Sequence, residues 1–220
     1  MSKPLSPSKV FIVEDHPVFR EGLVQVLRGE KDLTVCGKAG NATEALREIA
    51  RLKPDIVLVD ITLPGKSGLE LIKTLRSVDR KIKLLVVSMH DEALYAARVL
   101  RAGGDGYIMK QEDTDEIIHA IRDVLKGHVY VSEQVLASLP RPSPTRGSKA
   151  KTRPLDELMD QELEILELLG KGKSNREIAR ELQLAPRRAV ACCAQMKKKL
   201  KLKSLKELIR YAVCWVETGS

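Results

Sequence analysis

Asp60 closes an apolar run formed by Ile56, Val57, Leu58 and Val59. Glu14 and Asp15 close an earlier one, Val10, Phe11, Ile12 and Val13. Ser88 ends a third over residues 84–87, and Lys110 follows a fourth over residues 106–109. Carboxylates, a hydroxyl and an ammonium at the ends of successive apolar runs would meet along one edge of a parallel sheet, where open α/β folds carry their sites. Three carboxylates so placed repel one another, and a divalent cation relieves that repulsion. An all-oxygen donor set suits Mg²⁺. An aspartate held between such a cation and a lysine is set up to accept a phosphoryl group.

Five strand-like runs must position these groups, near residues 9–14, 33–37, 56–60, 83–88 and 106–109. Helical patterns separate and follow them, near 17–27, 42–51, 67–75, 92–102 and 113–126. The stripe Ile117, Ile118, Ile121, Val124 and Leu125 shows the helical spacing. Parallel strands need crossover connections, which wrap helices over both faces. The pattern predicts an α/β fold, a doubly wound five-stranded parallel sheet over residues 9–137, behind a short flexible tail at 1–8. Residues 138–154 carry Pro140, Pro142, Pro144 and Pro154 among polar and basic residues, and read as a linker.

From residue 155 the helical pattern returns and predicts a small all-α domain of four helices over 155–220. Its first helix stops at Gly170, Lys171 and Gly172. Ser174 and Glu177 form a capping-box pattern opening the second. Pro186 suits the first position of the third. The second and third helices, about three residues apart, read as a helix-turn-helix.

Charge separates the two halves. Residues 1–137 hold equal numbers of acids and bases, so the whole excess of +8 lies in residues 138–220. A neutral half joined to a basic half points to a polyanionic partner. No run of about 18 apolar residues offers a membrane span, and the start lacks a signal-like stretch. Cys36, Cys192, Cys193 and Cys214 form no CxxC pair, which fits reduced thiols in the cytoplasm.

Glu14, Asp15, Asp60, Pro64, Gly68, Ser88, Tyr107 and Lys110, in this order and at strand ends, resemble the receiver domain of bacterial two-component response regulators, a flavodoxin-like fold. The resemblance implies that Asp60 is the phosphoacceptor and that a phosphohistidine on a sensor histidine kinase is the donor. It implies that Glu14, Asp15, Asp60 and the backbone carbonyl of Thr62 hold Mg²⁺. Lys110 would pair with the phosphoryl group, and Ser88 would donate its hydroxyl to it. Movement of Ser88 would let Tyr107 turn inward. Pro64 would shape the loop after Asp60, and Gly68 would allow close helix packing. Such a protein is not an enzyme with turnover in the usual sense. His16, His90, His119 and His128 read as surface or packing residues away from the site. A haloacid-dehalogenase-type phosphatase, the enzyme alternative, needs an acid two residues after its nucleophile, and Thr62 stands there.

The run from Gly172 to Ala179 (Gly, Lys, Ser, Asn, Arg, Glu, Ile, Ala), with Lys199 and Leu200 downstream, resembles the DNA-binding domain of LuxR-type regulators. Together the halves resemble the NarL/FixJ arrangement, which implies a transcription regulator that binds double-stranded DNA and pairs into a homodimer when phosphorylated. At 100° per residue the third helix turns Ala189, Cys193, Met196 and Leu200 to the core. It turns Arg187, Val190, Ala191, Ala194, Lys198 and Lys201 outward. The centre of that outward face, Val190, Ala191 and Ala194, lacks the polar base readers usual in the family, and Cys192 replaces its frequent histidine. Bases suited to phosphates remain: Arg187, Arg188, Lys197, Lys198, Lys199, Lys201 and Lys203. DNA binding of weak or shape-based specificity is expected. The alternative is a receiver whose helical domain makes protein contacts and no longer reads specific DNA. In the last helix, Leu205, Leu208, Ile209, Ala212, Val213 and Val216 form a core stripe. Tyr211, Cys214 and Trp215 are then left as a second apolar edge for dimerisation.

Overall fold

The computed structural model describes residues 6–138, 155 and 158–218. The chain divides into two compact units at about residue 139. The linker expected over residues 138–154 lies outside the described residues except for Ser138.

In the first unit, β1 (Ser8–Val13), β2 (Leu33–Ala39), β3 (Ile56–Val59), β4 (Lys83–Ser88) and β5 (Gly106–Met109) form one parallel sheet in the order β2-β1-β3-β4-β5. Between and after them run α1 (Pro17–Arg28), α2 (Ala42–Leu52), α3 (Gly68–Val78), α4 (Glu92–Ala102) and α5 (Thr114–Leu125). The helices start where caps dictate. Pro17 opens α1, and Asn41 Oδ1 accepts from the Glu44 amide at 2.9 Å ahead of α2. Asp91 Oδ1 does the same for the Ala93 amide at 2.8 Å ahead of α4.

The inner strands are apolar on both faces because helices cover both. Val10, Ile12, Ile56, Leu58, Leu85, Val87 and Ile108 share one core with residues of α1 and α5, among them Leu23, Leu27, Ile117 and Ile121. Alternation turns Phe11, Val13, Val57, Val59, Leu84 and Val86 to the other face, and all are buried. Register then decides where the chemistry falls. Val13 pairs with Val59, which sets Glu14 and Asp15 beside Asp60. Ser88 pairs with Met109, which sets Lys110 at the same edge.

One element had no signal in the sequence reading. A short helix, α6 (Glu133–Ser138), follows α5. Just before it, Tyr130 bridges the free edge of β5: its carbonyl accepts from the Tyr107 amide at 2.7 Å, and its own amide donates to Asp105.

The second unit holds α7 (Asp160–Gly170), α8 (Asn175–Glu181), α9 (Pro186–Lys199) and α10 (Leu205–Thr218) among the described residues. Buried Glu162 joins two of them: its Oε2 accepts from the Met159 amide at 2.7 Å and from Lys199 Nζ at 2.6 Å. Lys199 is therefore tied to α7 and not free for a phosphate.

The expected division of α10 is corrected. Its buried residues are Leu208, Ala212 and Trp215, the last only 2 % exposed. Leu205 and Ile209, expected in the core, are 41 % and 39 % exposed. The cause is a close crossing with α7: a Cβ on Gly170 would come within 2.5 Å of the Ala212 carbonyl. That approach along Ala212 turns Leu208 and Trp215 inward and leaves Leu205 and Ile209 outside. Trp215 is thus a core residue and forms no exposed edge with half-buried Tyr211 and exposed Cys214.

Candidate functional site

The carboxyl edge of the sheet gathers the residues that the sequence singled out. Asp60 is 4 % exposed and Glu14 2 %. Lys110 Nζ lies 2.9 Å from Asp60 Oδ2 and 2.6 Å from Glu14 Oε2. Its ammonium also sits 4.7 Å from the centre of the Phe19 ring on α1, which gives it a further cation–π contact. Burial, and then the charge of Asp60, hold the Glu14 carboxyl above its ordinary range, against the pull of Lys110. For Lys110, burial opposes the charge, but Asp60 and Glu14 outweigh it and hold the ammonium above its usual value.

One lysine does not balance Glu14, Asp15 and Asp60. Ligating atoms of these three and of His16 all lie within 4.8 Å of one another. Asp15 Oδ1 is shielded from water and, among the described residues, accepts no hydrogen bond, although His16 Nδ1 is 2.9 Å away. A water-shielded carboxylate oxygen with no well-formed hydrogen bond among the described residues, in a cluster of net negative charge, fits a hard dication.

Two histidines do not stay away from the site, as the sequence reading had them. His16 Nδ1 lies 3.0 Å from Glu14 Oε1, and its amide donates to the same oxygen. His90 Nε2 lies 2.7 Å from Thr62 Oγ1, bridging the loops after β3 and β4. The His90 carbonyl accepts from the Tyr107 hydroxyl at 2.7 Å, and its amide reaches Ser88 Oγ at 3.4 Å. Tyr107 is 1 % exposed, so its ring is seated inward here. A lone histidine has no spacing signature, and only the tertiary fold shows its neighbours.

Gly68 holds the loop after Asp60 tight. Its amide donates to the Ile61 carbonyl at 2.7 Å, and a Cβ there would lie 2.0 Å from the Asp60 carbonyl oxygen. Gly68→Ala must therefore displace the backbone that carries Asp60. Overpacking of this kind costs about 1–3 kcal/mol. We expect a folded receiver labelled by acetyl phosphate at a rate at least about tenfold lower, since small misplacements are costly in transfer chemistry. Unchanged labelling would show that the contact does not position the carboxylate.

In the second unit, α9 faces outward as the helical spacing predicts. Val190 is 53 % exposed, and Arg187, Arg188, Ala191, Ala194, Lys198 and Lys201 are exposed too, with Lys197 half-buried. Arg188 Nε donates to Gln161 Oε1 at 3.0 Å. Cys192, expected beside the outward apolar centre, is buried with Ala189, Cys193 and Met196. Gln195, which the sequence reading passed over, is exposed on one flank of the same face.

Residues 10–122 match the response regulator receiver domain family, and residues 156–212 match the luxR family of bacterial regulatory proteins. The chain is 34 % identical over 209 residues to the oxygen regulatory protein NreC of Staphylococcus aureus, covering 93 % of this chain and 96 % of that protein. A LuxR-family two-component response regulator from Aurantimonas sp. SI85-9A1 shares its fold over 60 % of this chain and 94 % of that one, with TM-score 0.57 and 32 % identity. The RcsB response regulator of Salmonella typhimurium aligns over 96 % of this chain and 100 % of its own, with TM-score 0.56 and 22 % identity, a likeness of fold alone.

Proposed function

The chain belongs to the response regulators that join a receiver domain to a LuxR-type DNA-binding domain, and we propose that phosphorylation of Asp60 switches its hold on DNA. The observation that carries this reading is the buried triad of Asp60, Glu14 and Lys110, with one lysine between two carboxylates at 2.9 and 2.6 Å. An Asp60 carboxylate oxygen attacks the phosphorus of the donor phosphohistidine as the bond to the imidazole nitrogen breaks. The product is an acyl phosphate on Asp60. Lys110, already aimed at this carboxylate, pairs with the transferred phosphoryl oxygens. The Ser88 hydroxyl donates to another of them, and Tyr107, already seated inward, is held there by its hydroxyl on the His90 carbonyl. Glu14, Asp15 and Asp60, with the Thr62 backbone carbonyl, would hold Mg²⁺. When bound, this ion neutralises charge on the transferring group. Turnover is limited to gain and loss of this phosphoryl group, in the cytoplasm.

The output is binding of double-stranded DNA through α8 and α9, with phosphate contacts from Arg187, Arg188, Lys197, Lys198 and Lys201. Pairing into a homodimer would use the outward flank of α10. There Leu205, Ile209, Val213 and Val216 recur at helical spacing, two of them exposed and two half-buried. Retardation of duplex DNA tests the output. Arg187→Ala and Lys198→Ala should each weaken binding equally on all sequences and lower the salt slope by about one. A sequence-selective loss from Lys198→Ala would place that side chain on a base instead. No retardation even at low salt would favour the protein-contact output.

A further inference from the structure

From the face that α9 presents, we infer that this domain selects A·T-rich duplex by covering thymine methyl groups. The inference rests on the DNA-binding reading above and deepens it. In a helix-turn-helix the second helix enters the major groove, where A·T pairs differ from G·C in offering the thymine methyl. The centre of the exposed face is apolar and small. Val190 is 53 % exposed, and Ala191 and Ala194 are exposed beside it. None of the three can donate to guanine or accept from cytosine, whereas each can cover a methyl. Their small size lets the helix backbone come close to the groove floor.

The surroundings fit a nucleic acid better than a protein partner. Helix α9 contains no acid anywhere along Pro186–Lys199. Exposed Arg187 and Lys198 border the apolar centre, with Lys201 exposed just past the end of the helix, and cations bordering such a strip suit phosphates either side of a groove. Gln195, exposed on the flank beside Ala191, is the remaining uncharged polar side chain of the helix, and glutamine pairs with adenine through its N6 and N7. The methyl-covering residues and the amide therefore favour the two members of the same base pair.

Deoxyuridine tests this directly, because it keeps the pairing and the phosphates of thymidine and removes only the methyl. Full-length phosphorylated protein would be titrated against an A·T-rich duplex, the same duplex with deoxyuridine throughout, and a G·C duplex with and without 5-methylcytosine. Each methyl covered should contribute about fourfold in affinity, so the deoxyuridine duplex should bind more than about tenfold more weakly if two are covered. The salt slope should not change. 5-Methylcytosine should restore part of the loss on the G·C duplex. Val190→Ser should shrink the thymine-to-uracil difference in affinity. Equal binding to the thymidine and deoxyuridine duplexes would overturn the inference and leave the DNA-binding reading standing. A guanine preference that disappears in Arg187→Ala would overturn it as well, by making that arginine the reader. Failure to bind any duplex at low salt would overturn the DNA-binding reading itself.

Discussion

Asp60→Asn is expected to abolish labelling by acetyl phosphate in the presence of Mg²⁺, with the receiver still folded. Asparagine keeps the shape of the side chain but removes the nucleophilic carboxylate and its charge. Removal of a nucleophile from a site where it is the group attacked costs orders of magnitude, and the remaining groups here have nothing else to offer a phosphorus. Glu14 cannot substitute, because it is 2 % exposed and held by Lys110 and His16. Stability should not fall far. The pair Asp60–Lys110 lies 4 % exposed or less, and Lys110 keeps Glu14 as its partner. The mutant also relieves the carboxylate repulsion that helps raise Glu14. Labelling by radioactive acetyl phosphate and thermal melting check both halves. Undiminished labelling would move the acceptor to another residue, and lost folding would make Asp60 structural.

Trp215→Ala should unfold the second unit while leaving the first intact. The side chain is 2 % exposed and stands on α10 one turn beyond Ala212, which is the residue that meets Gly170 of α7. Truncating a buried tryptophan costs about 3–5 kcal/mol. A domain of about 60 residues has little stability to lose, since small domains bury a smaller fraction of their surface. Among the described residues Trp215 Nε1 has no hydrogen-bond partner, so the expected loss is one of packing. Hydrogen exchange and melting should show the receiver transition unchanged and the helical transition gone, with DNA binding lost. Ile209→Glu, on the exposed flank, should instead dissociate a dimer without unfolding it. If Trp215→Ala melted at the wild-type temperature yet sedimented as a monomer, the tryptophan would belong to an interface after all.

The receiver was legible because its chemistry hangs on strand ends. Short strands buried on both faces announce themselves as apolar runs, and the residue after each run must fall at the carboxyl edge. Parallel register then brought Glu14, Asp60, Ser88 and Lys110 together with no further information. The outward face of α9 was legible for a similar reason: one helix packed on one side has one periodicity. His16 and His90 were not, since their neighbours come from loops whose course no pattern encodes. Tyr130 and α6 were missed because one bridged residue and a six-residue helix carry too little periodicity. α10 misled because it is apolar on more than one side. Which side faces in is set by the glycine at the α7 crossing, a contact across 42 residues of sequence between Gly170 and Ala212.

Whether the state of Asp60 governs the hold on DNA is decided by one titration. A fluorescently labelled A·T-rich duplex would be titrated with wild-type protein and with Asp60→Asn, each with and without acetyl phosphate and Mg²⁺. Coupling free energies between sites commonly reach 1–3 kcal/mol, so phosphorylated wild type should bind about tenfold more tightly than unphosphorylated. Asp60→Asn should bind at one low affinity whether or not the phosphodonor is present. Equal affinity of wild type in both states, or the same gain in Asp60→Asn, would mean that phosphorylation of Asp60 does not control DNA binding.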